Sequence, residues 1–194
     1  YEELKLGLWK EYEHDRDGYT EQKKAVVERF TREAKNLYPG RYKRQALRFA
    51  RAEPEDTEAL RRLARASEAH WGYDEAFMEN FDAGFNVTED FIRRNPVYAA
   101  GERGCPAAFW GIRQDRDAWE LEYFYVAEER LGRGLGKQMW EHMTGWCGKQ
   151  EICRIHFVTS PQAVGFYRKM GAVRDGETRS PVDGRPVPHF VYDL

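Results

Sequence analysis

The stretch that decides the fold covers residues 117–137, DAWELEYFYVAEERLGRGLGK. Its first ten residues alternate and are rich in aromatic side chains, which is typical of a strand. From Gly134 onward, apolar residues recur at the spacing of one helix face, at Leu135, Met139 and Met143. Between strand and helix lie three glycines, which leave the backbone accessible just where a helix N-terminus offers unpaired N–H groups. The stretch therefore predicts a strand, a phosphate-binding turn and a helix.

Two common phosphate loops do not fit this turn. A Walker loop has four residues before its Gly-Lys-Ser/Thr, whereas three residues separate Gly132 from Gly136, and Gln138 replaces the hydroxyl that would bind magnesium. A dinucleotide-binding loop needs G-x-G-x-x-G and an acidic residue about twenty positions later, where this chain has Ile155 and His156. The pattern G-x-G-x-G excludes both interpretations.

The remaining pattern resembles the pyrophosphate loop of the GNAT superfamily of N-acetyltransferases, in which a valine precedes Arg/Gln-x-x-G-x-G/A. Val126 and residues 131–136 occupy these places, with Leu131 where Arg or Gln is usual. Residues 163–172, AVGFYRKMGA, resemble the family's A-x-x-F-Y-x-x-x-G-F segment, with Ala172 where Phe is usual. The resemblance covers residues 46 to 194. It implies an α/β fold with a twisted, mostly antiparallel mixed sheet that is flanked by helices.

The resemblance also implies acetyl-CoA as the co-substrate. Backbone groups of the central strand would pair with pantetheine and polarise the thioester, and the glycine turn would hold the diphosphate. Arg133 and Lys137 would contact phosphate, although cations in a solvated loop need no ligand to explain them. The full expected set is Phe124, Tyr125, Val126, Leu131, Gly132, Arg133, Gly134, Leu135, Gly136, Lys137, Gln162 (where Asn is frequent) and Phe166.

Acetyl transfer from a thioester to an amine needs a neutral amine, a stabilised oxyanion and a proton for the departing thiolate. By resemblance, Tyr167 is the general acid, and a phenol suits a thiolate because their ordinary pKa values, about 10 and about 8.5, are close. Glu120 and Glu122 lie two apart, so we expect both on one strand face, opposite Leu121 and Tyr123. Glu122 is the preferred base and Glu120 the second choice; the alternative is an exposed strand face that carries acids.

The acceptor pocket is the least defined part of the sequence. Residues 53–81 predict two helices, and the family builds one wall of its acceptor pocket from such a pair. Trp71 and Tyr73 are therefore the expected substrate-binding residues, while an ordinary aromatic core that includes Phe77 is the alternative. No residue in the sequence indicates which of the small-molecule and peptide amines acetylated by the family is the acceptor.

Composition excludes several other classes of protein. The net charge of −2 does not favour a nucleic-acid partner, and no apolar run approaches the roughly twenty residues of a membrane helix. Three cysteines without a C-x-x-C pair, and five histidines without H-x-x-x-H spacing, predict neither disulfides nor a metal site. We expect a reducing, cytoplasmic setting, although the chain begins at Tyr1 and a removed leader stays open.

Residues 1–45 are expected to form a separate helical extension before the acetyltransferase domain of residues 46–194. Leu4, Leu8 and Tyr12 mark a first helix, residues 15–18 break it, and Thr20 is expected to cap a second helix that ends at Tyr38-Pro39-Gly40. The apolar stripe of this hairpin would pack on the following domain, on a second copy in a homodimer, or on another macromolecule.

Elsewhere the pattern predicts strands over residues 47–50, 97–100, 107–112, 152–158, 173–178 and 187–193, with residues 113–117 as a turn into the central strand. The hypothesis is an acetyl-CoA-dependent N-acetyltransferase in which a primary amine attacks directly within a ternary complex. The alternative is a non-catalytic acetyl-CoA-binding sensor or scaffold that interacts through the N-terminal hairpin.

Overall fold

The computed structural model describes residues 2–37, 47–85, 87–180 and 182–194. The chain divides into two compact units, Tyr1–Ala46 and Leu47–Leu194. The assignment of residues 1–45 and 46–194 as an extension and an acetyltransferase domain stays a prediction. The expected helix stop at Tyr38–Gly40 lies outside the described residues.

Residues 2–37, the described part of the first unit, form two helices, α1 (Glu2–Glu11) and α2 (Arg16–Leu37). The amide of Gly18 donates to the Asp15 carboxylate at 2.9 Å, so Asp15 caps α2. The expected break at residues 15–18 and the expected cap at Thr20 are therefore wrong. The Thr20 hydroxyl instead donates to the Arg16 carbonyl at 2.8 Å, inside the helix.

The second unit contains seven strands and five α-helices among the described residues. In chain order they are β1 (Phe49–Arg51), α3 (Thr57–Ala69), α4 (Glu75–Gly84), α5 (Glu89–Arg94), β2 (Val97–Glu102), β3 (Cys105–Asp115), β4 (Ala118–Val126), α6 (Leu135–Lys149), β5 (Arg154–Val158), α7 (Val164–Lys169), β6 (Val173–Arg179) and β7 (Pro186–Asp193). None of the described helices of the chain has the length and apolar content that a membrane crossing requires.

The strands form one seven-stranded sheet in the order β1-β2-β3-β4-β5-β7-β6. Every neighbouring pair is antiparallel except β4 and β5, which are parallel. The predicted fold, a mostly antiparallel mixed sheet flanked by helices, is confirmed. The turn predicted over residues 113–117 is shorter, because β3 continues to Asp115 and the chain reverses at Arg116 with a φ of 55°.

Helix α5 was not predicted from the sequence. Its first turn is capped by Thr88, whose hydroxyl accepts a hydrogen bond from the Phe91 amide at 3.0 Å. Two acids follow at Glu89 and Asp90, where they favour a helix N-terminus. The Thr88 cap and the two acids are the sequence features from which this helix could have been predicted.

The two faces of the sheet carry separate hydrophobic clusters. On one face, α6 packs Met139 and Met143 against Trp110 and Ile112. On the other face, Leu60, Phe81 and Ile92 from α3, α4 and α5 pack against Phe109 and Tyr123. Helices thus cover both faces, and the central strands β3 and β4 are buried between them.

A β-bulge interrupts the central strand at Glu122. Gly111 of β3 is paired with Tyr123, but its neighbour Ile112 is paired with Leu121, so Glu122 is the additional residue. A bulge breaks the alternation of side chains, and Tyr123 accordingly lies in a different cluster from Leu121. The expectation that Leu121 and Tyr123 share the face opposite the two glutamates is therefore wrong.

The parallel pairing of β4 with β5 is short. It comprises Trp119 with Ile155 and Glu120 with His156, and it ends there. Beyond Glu120, β4 continues to Val126 alongside β3 alone among the described strands. The backbone edge of residues 121–126 that faces away from β3 is therefore available to a ligand.

Candidate active site

A cavity of about 610 Å³ opens beside this free edge of β4. One part of its wall comes from β4, the glycine turn, the end of β5 and α7. The other part comes from α3, α4 and the turn between β6 and β7. We call the first part the coenzyme end, defined by residues 126–137 and 162–167, and the second the acceptor end, defined by residues 67–85 and 180–187.

The glycine turn presents its backbone to the cavity. Gly132 and Gly134 have left-handed φ angles of 68° and 86°, a conformation that strongly favours glycine. Gly134 is the N-cap of α6, and its carbonyl accepts from the Gln138 amide at 3.2 Å. The next three amides, of residues 135–137, therefore lie in the first turn of a helix, where no preceding carbonyl is available to them. They are free to hold an anion.

The space around the turn is open to an anionic ligand. A Cβ atom at Gly132 would meet no atom within 4 Å, so this side of the turn is open. A Cβ atom at Gly136 would approach the Phe166 ring to 3.3 Å, so glycine is needed there for packing against α7. An open turn, free amides and a fifteen-residue helix behind them form a suitable anion site.

Not all of the expected coenzyme-binding residues line the cavity. Lys137 lines the cavity and also forms an exposed ion pair with Glu141 at 3.5 Å. Arg133 and Leu135 are not among the lining residues; Leu135 is 4% exposed and belongs to the core. The remaining predicted residues all line the cavity: Phe124, Tyr125, Val126, Leu131, Gly132, Gly134, Gly136, Gln162 and Phe166. Arg130, which was not expected, lines it as well.

Tyr167 lies on α7 and is 6% exposed. Its ring packs against Phe157, with centroids 4.6 Å apart, and against Trp140, at 5.7 Å. Burial raises the pKa of Tyr167 well above that of an ordinary phenol, and a hydrogen bond with the Thr159 side chain partly opposes this. The phenol therefore stays protonated across the neutral range, which is the form that a general acid needs.

The two candidate bases have different surroundings. Arg113 joins them, with Nε 2.8 Å from the Glu122 carboxylate and Nη2 2.7 Å from the Glu120 carboxylate. Glu122 lines the cavity, whereas Glu120 is not among the lining residues. Burial raises the pKa of Glu122, and the charge of Arg113 partly offsets the effect. The bulge thus places a carboxylate whose pKa is raised by burial beside the cavity.

A third carboxylate, Glu68 on α3, was missed from the sequence. It lines the cavity, and the Tyr125 hydroxyl donates to it at 3.3 Å. Burial raises the pKa of Glu68, while the bond from Tyr125 and the charge of Arg185 oppose the shift. A charged residue adds nothing to the hydrophobic pattern that predicted this helix, so that pattern contained no signal for Glu68.

The acceptor end has an aromatic wall. Trp71 and Tyr73 both line the cavity, as do Phe77, Phe81 and Phe85. The Tyr73 ring stacks on Phe77 at 4.1 Å, and its hydroxyl donates to the Gln162 amide oxygen at 3.2 Å. Tyr73 therefore joins the acceptor end to the coenzyme end.

Comparison with known proteins identifies the family to which the chain belongs. The family model described as Acetyltransferase (GNAT) family matches residues 45–172. The chain therefore belongs to the GNAT family of acetyltransferases. Comparison with curated protein sequences finds no match.

Three solved structures illustrate the likeness. PaiA N-acetyltransferase from Thermoplasma acidophilum, solved with coenzyme A, has 19% identity and a TM-score of 0.60, covering 76% of this chain and 99% of its own. A GCN5-related N-acetyltransferase from Rhodopseudomonas palustris has 18% identity and a TM-score of 0.63, with 76% and 96% covered. The ribosomal-protein-S18-alanine N-acetyltransferase from Escherichia coli has 17% identity and a TM-score of 0.57, with 76% and 93% covered. Because the sequence identities are this low, the similarity to these structures shows a shared fold and nothing more.

In the described part of the chain, no group of three or more His, Cys, Asp or Glu side chains could hold a metal ion. The polar groups that line the cavity include the backbone of the glycine turn, the Tyr167 phenol and the carboxylates of Glu68 and Glu122. Such groups can bind an anionic ligand, hold a proton and accept one.

Proposed function

We propose that this member of the family is an acetyl-CoA-dependent N-acetyltransferase whose primary-amine acceptor attacks directly in a ternary complex. One observation carries the proposal. Residues of the free edge of β4, the glycines of the turn and Tyr167 all line a single cavity. A ligand that follows this edge from the turn would bring its far end toward Tyr167.

Bound acetyl-CoA would supply an activated acetyl thioester. The amides of residues 134–137 would hold its diphosphate, and backbone groups of residues 124–126 would pair with the pantetheine arm. Backbone N–H groups of this strand would also polarise the carbonyl that the amine attacks. These roles belong to the main chain, so they do not depend on side-chain identity.

Two side chains would move the protons. Glu122 would accept the proton that the amine loses as the C–N bond forms, directly or through one water molecule. Tyr167 would donate its proton to the sulfur as the C–S bond breaks, and it would recover a proton from solvent after product release. Arg113 would keep Glu122 oriented, since it pairs with both Glu122 and Glu120.

The experiment has two parts that separate binding from catalysis. Calorimetry with acetyl-CoA is expected to show binding to one site. Thiol release is then measured over a panel of primary amines, and steady release with at least one amine is expected. Absence of acetyl-CoA binding would contradict the proposal at its base. Binding without thiol release over the whole panel would favour the non-catalytic sensor or scaffold.

The cellular compartment and the oligomeric state of the protein are also proposals. The three cysteines, Cys105, Cys147 and Cys153, are free thiols, which supports a reducing, cytoplasmic setting. A homodimer through the N-terminal hairpin stays a prediction; gel filtration with light scattering tests it.

A further inference from the structure

The turn between β6 and β7 places Arg185 in the wall of the acceptor end. Two backbone bonds close this turn: the Ser180 amide donates to the Arg185 carbonyl at 2.8 Å, and the Gly184 amide donates to the Ser180 carbonyl at 2.9 Å. The guanidinium lies over Tyr73, 4.6 Å from the ring centroid, and over Phe77, at 5.0 Å. The turn and the two rings hold the cation in place.

The hydrogen-bonding capacity of Arg185 is largely unused. Its Nε atom is buried and makes no hydrogen bond, although Asp183 lies 3.3 Å from it. Within the described ranges, no other carboxylate pairs with the guanidinium, and its two terminal nitrogens have no hydrogen-bond partner. An arginine offers five donors in a planar fork that matches a carboxylate. A cation held in a cavity wall with free donors is ready for an anionic group.

Carboxylates line the same cavity. The charge of Arg185 lowers the pKa of Glu68, although burial raises this pKa by more. Among the described residues, the two side chains form no ion pair with each other. Glu122 lies on the β4 wall. The acceptor end therefore presents both signs of charge on separated groups. Apolar rings complete its wall, from Phe77, Phe81 and Phe85.

We propose that the acceptor is a small primary amine that also carries a carboxylate and an apolar body, as an amino acid with an apolar side chain does. This inference rests on the proposed function. Arg185 would bind the acceptor carboxylate, the aromatic wall would contact the apolar body, and the amine would be directed to Glu122. A dicationic polyamine would instead place a positive charge near Arg185, which disfavours it.

The test compares acceptors that differ only in this carboxylate. Phenylalanine and phenylalaninamide form one pair, and leucine and leucinamide form another. The amide of each pair loses its ammonium proton more easily, so amine basicity opposes the expected preference. With saturating acetyl-CoA, we expect kcat/KM for thiol release to be about 10- to 100-fold higher for the carboxylate of each pair, as for a hydrogen bond to a charged group.

Arg185 variants assign the preference to this side chain. In Arg185→Gln, the carboxylate-to-carboxamide ratio of kcat/KM is expected to fall to 1 or below, because amine basicity then favours the carboxamide, whereas Arg185→Lys retains part of the preference. Arg174→Gln is the matched control, because Arg174 is an exposed β6 arginine that pairs with Glu177 and does not line the cavity. It is expected to keep the full ratio. A thermal shift with acetyl-CoA verifies that each variant is folded.

The outcomes separate this inference from the function on which it rests. Equal or better use of the carboxamides by the unmodified protein would overturn the inference and leave the acetyltransferase proposal standing. A preference that survives in Arg185→Gln would also overturn it. Acetyl-CoA binding without acetylation of either pair would contradict the acceptor class, and failure to bind acetyl-CoA would contradict the proposed function itself.

Discussion

The two ends of the cavity are built in different ways. The coenzyme end and the free edge of β4 beside it come from one continuous segment, residues 121–137, and use mainly its backbone: a free strand edge, left-handed glycines and unpaired amides. The acceptor end collects side chains from three separate elements. These are Glu68 of α3, the aromatic residues before and within α4, and Arg185 of the β6–β7 turn, while Glu122 of β4 lines the same cavity.

This difference has a physical consequence. Backbone donors are present whatever the side chain, so the coenzyme end should tolerate most substitutions and fail only when its conformation changes. Charged side chains in a partly buried pocket each determine a large share of the binding energy. Single substitutions at the acceptor end should therefore change selectivity without affecting acetyl-CoA binding.

The largest expected effect lies where the two ends meet. Tyr167→Phe keeps the ring in its aromatic cluster and removes only the proton donor. We expect kcat to fall about 100-fold with an unchanged acetyl-CoA dissociation constant, because general acids contribute at least this much. Tyr192→Phe is the control, since Tyr192 packs on Trp140 and does not line the cavity. Unchanged turnover in Tyr167→Phe would remove Tyr167 from the acid role.

A backbone substitution tests the coenzyme end. Valine at position 134 must adopt a φ of 86°, which costs an L-residue about 1–2 kcal/mol and more when it is β-branched. We expect Gly134→Val to weaken acetyl-CoA binding about 10- to 30-fold by calorimetry. Gly145→Val, in the same helix and with open space around it, should bind normally. Equal affinity in both variants would show that the turn does not hold the diphosphate.

The pH dependence of the rate tests Glu122. Because burial raises its pKa, the unmodified protein should lose activity as the pH falls through this raised value and the carboxylate becomes protonated. Glu122→Gln should lower kcat/KM about tenfold at neutral pH and recover at high pH, where the amine is already neutral. Glu120→Gln also removes a partner of Arg113 but lies outside the cavity lining, so a smaller loss is expected. A larger loss of activity in Glu120→Gln than in Glu122→Gln would indicate that Glu120, and not Glu122, is the base.

The smallest effect is expected for a cation of the coenzyme end. Lys137→Gln removes a side chain that is half exposed and already paired with Glu141. Acetyl-CoA affinity should fall only about two- to threefold, and the difference should shrink at high salt. A loss as large as that in Gly134→Val would mean that side chains, rather than the backbone, dominate phosphate binding.

The coenzyme end could be predicted from the sequence because its parts are local. Strand alternation, three glycines and a helical stripe lie within about twenty residues, and backbone geometry follows from such short-range patterns. The mostly antiparallel mixed sheet and the helices on both faces follow from the same resemblance. The family model and the seven-stranded sheet confirm the predicted family and fold.

The acceptor end could not be predicted in the same way. Glu68 lies four residues after Ala64 on the buried face of α3, but a charged residue adds nothing to a hydrophobic pattern, and Arg185 lies in a turn more than one hundred residues further on. Their proximity results from tertiary packing. The bulge at Glu122 was also missed, because it is defined by the pairing of β4 with β3, in which Gly111 lies opposite Tyr123 and a Cβ atom would approach the ring to 3.1 Å. Only the paired strands reveal it.

The central claim is that one cavity holds acetyl-CoA with its diphosphate on the glycine turn and its sulfur beside Tyr167. A crystal structure of the protein with coenzyme A tests it most directly. We expect diphosphate oxygens within hydrogen-bond distance of the amides of residues 134–137, the pantetheine arm along residues 121–126, and the sulfur within reach of the Tyr167 hydroxyl. Coenzyme bound elsewhere, or a sulfur remote from that hydroxyl, would contradict the claim.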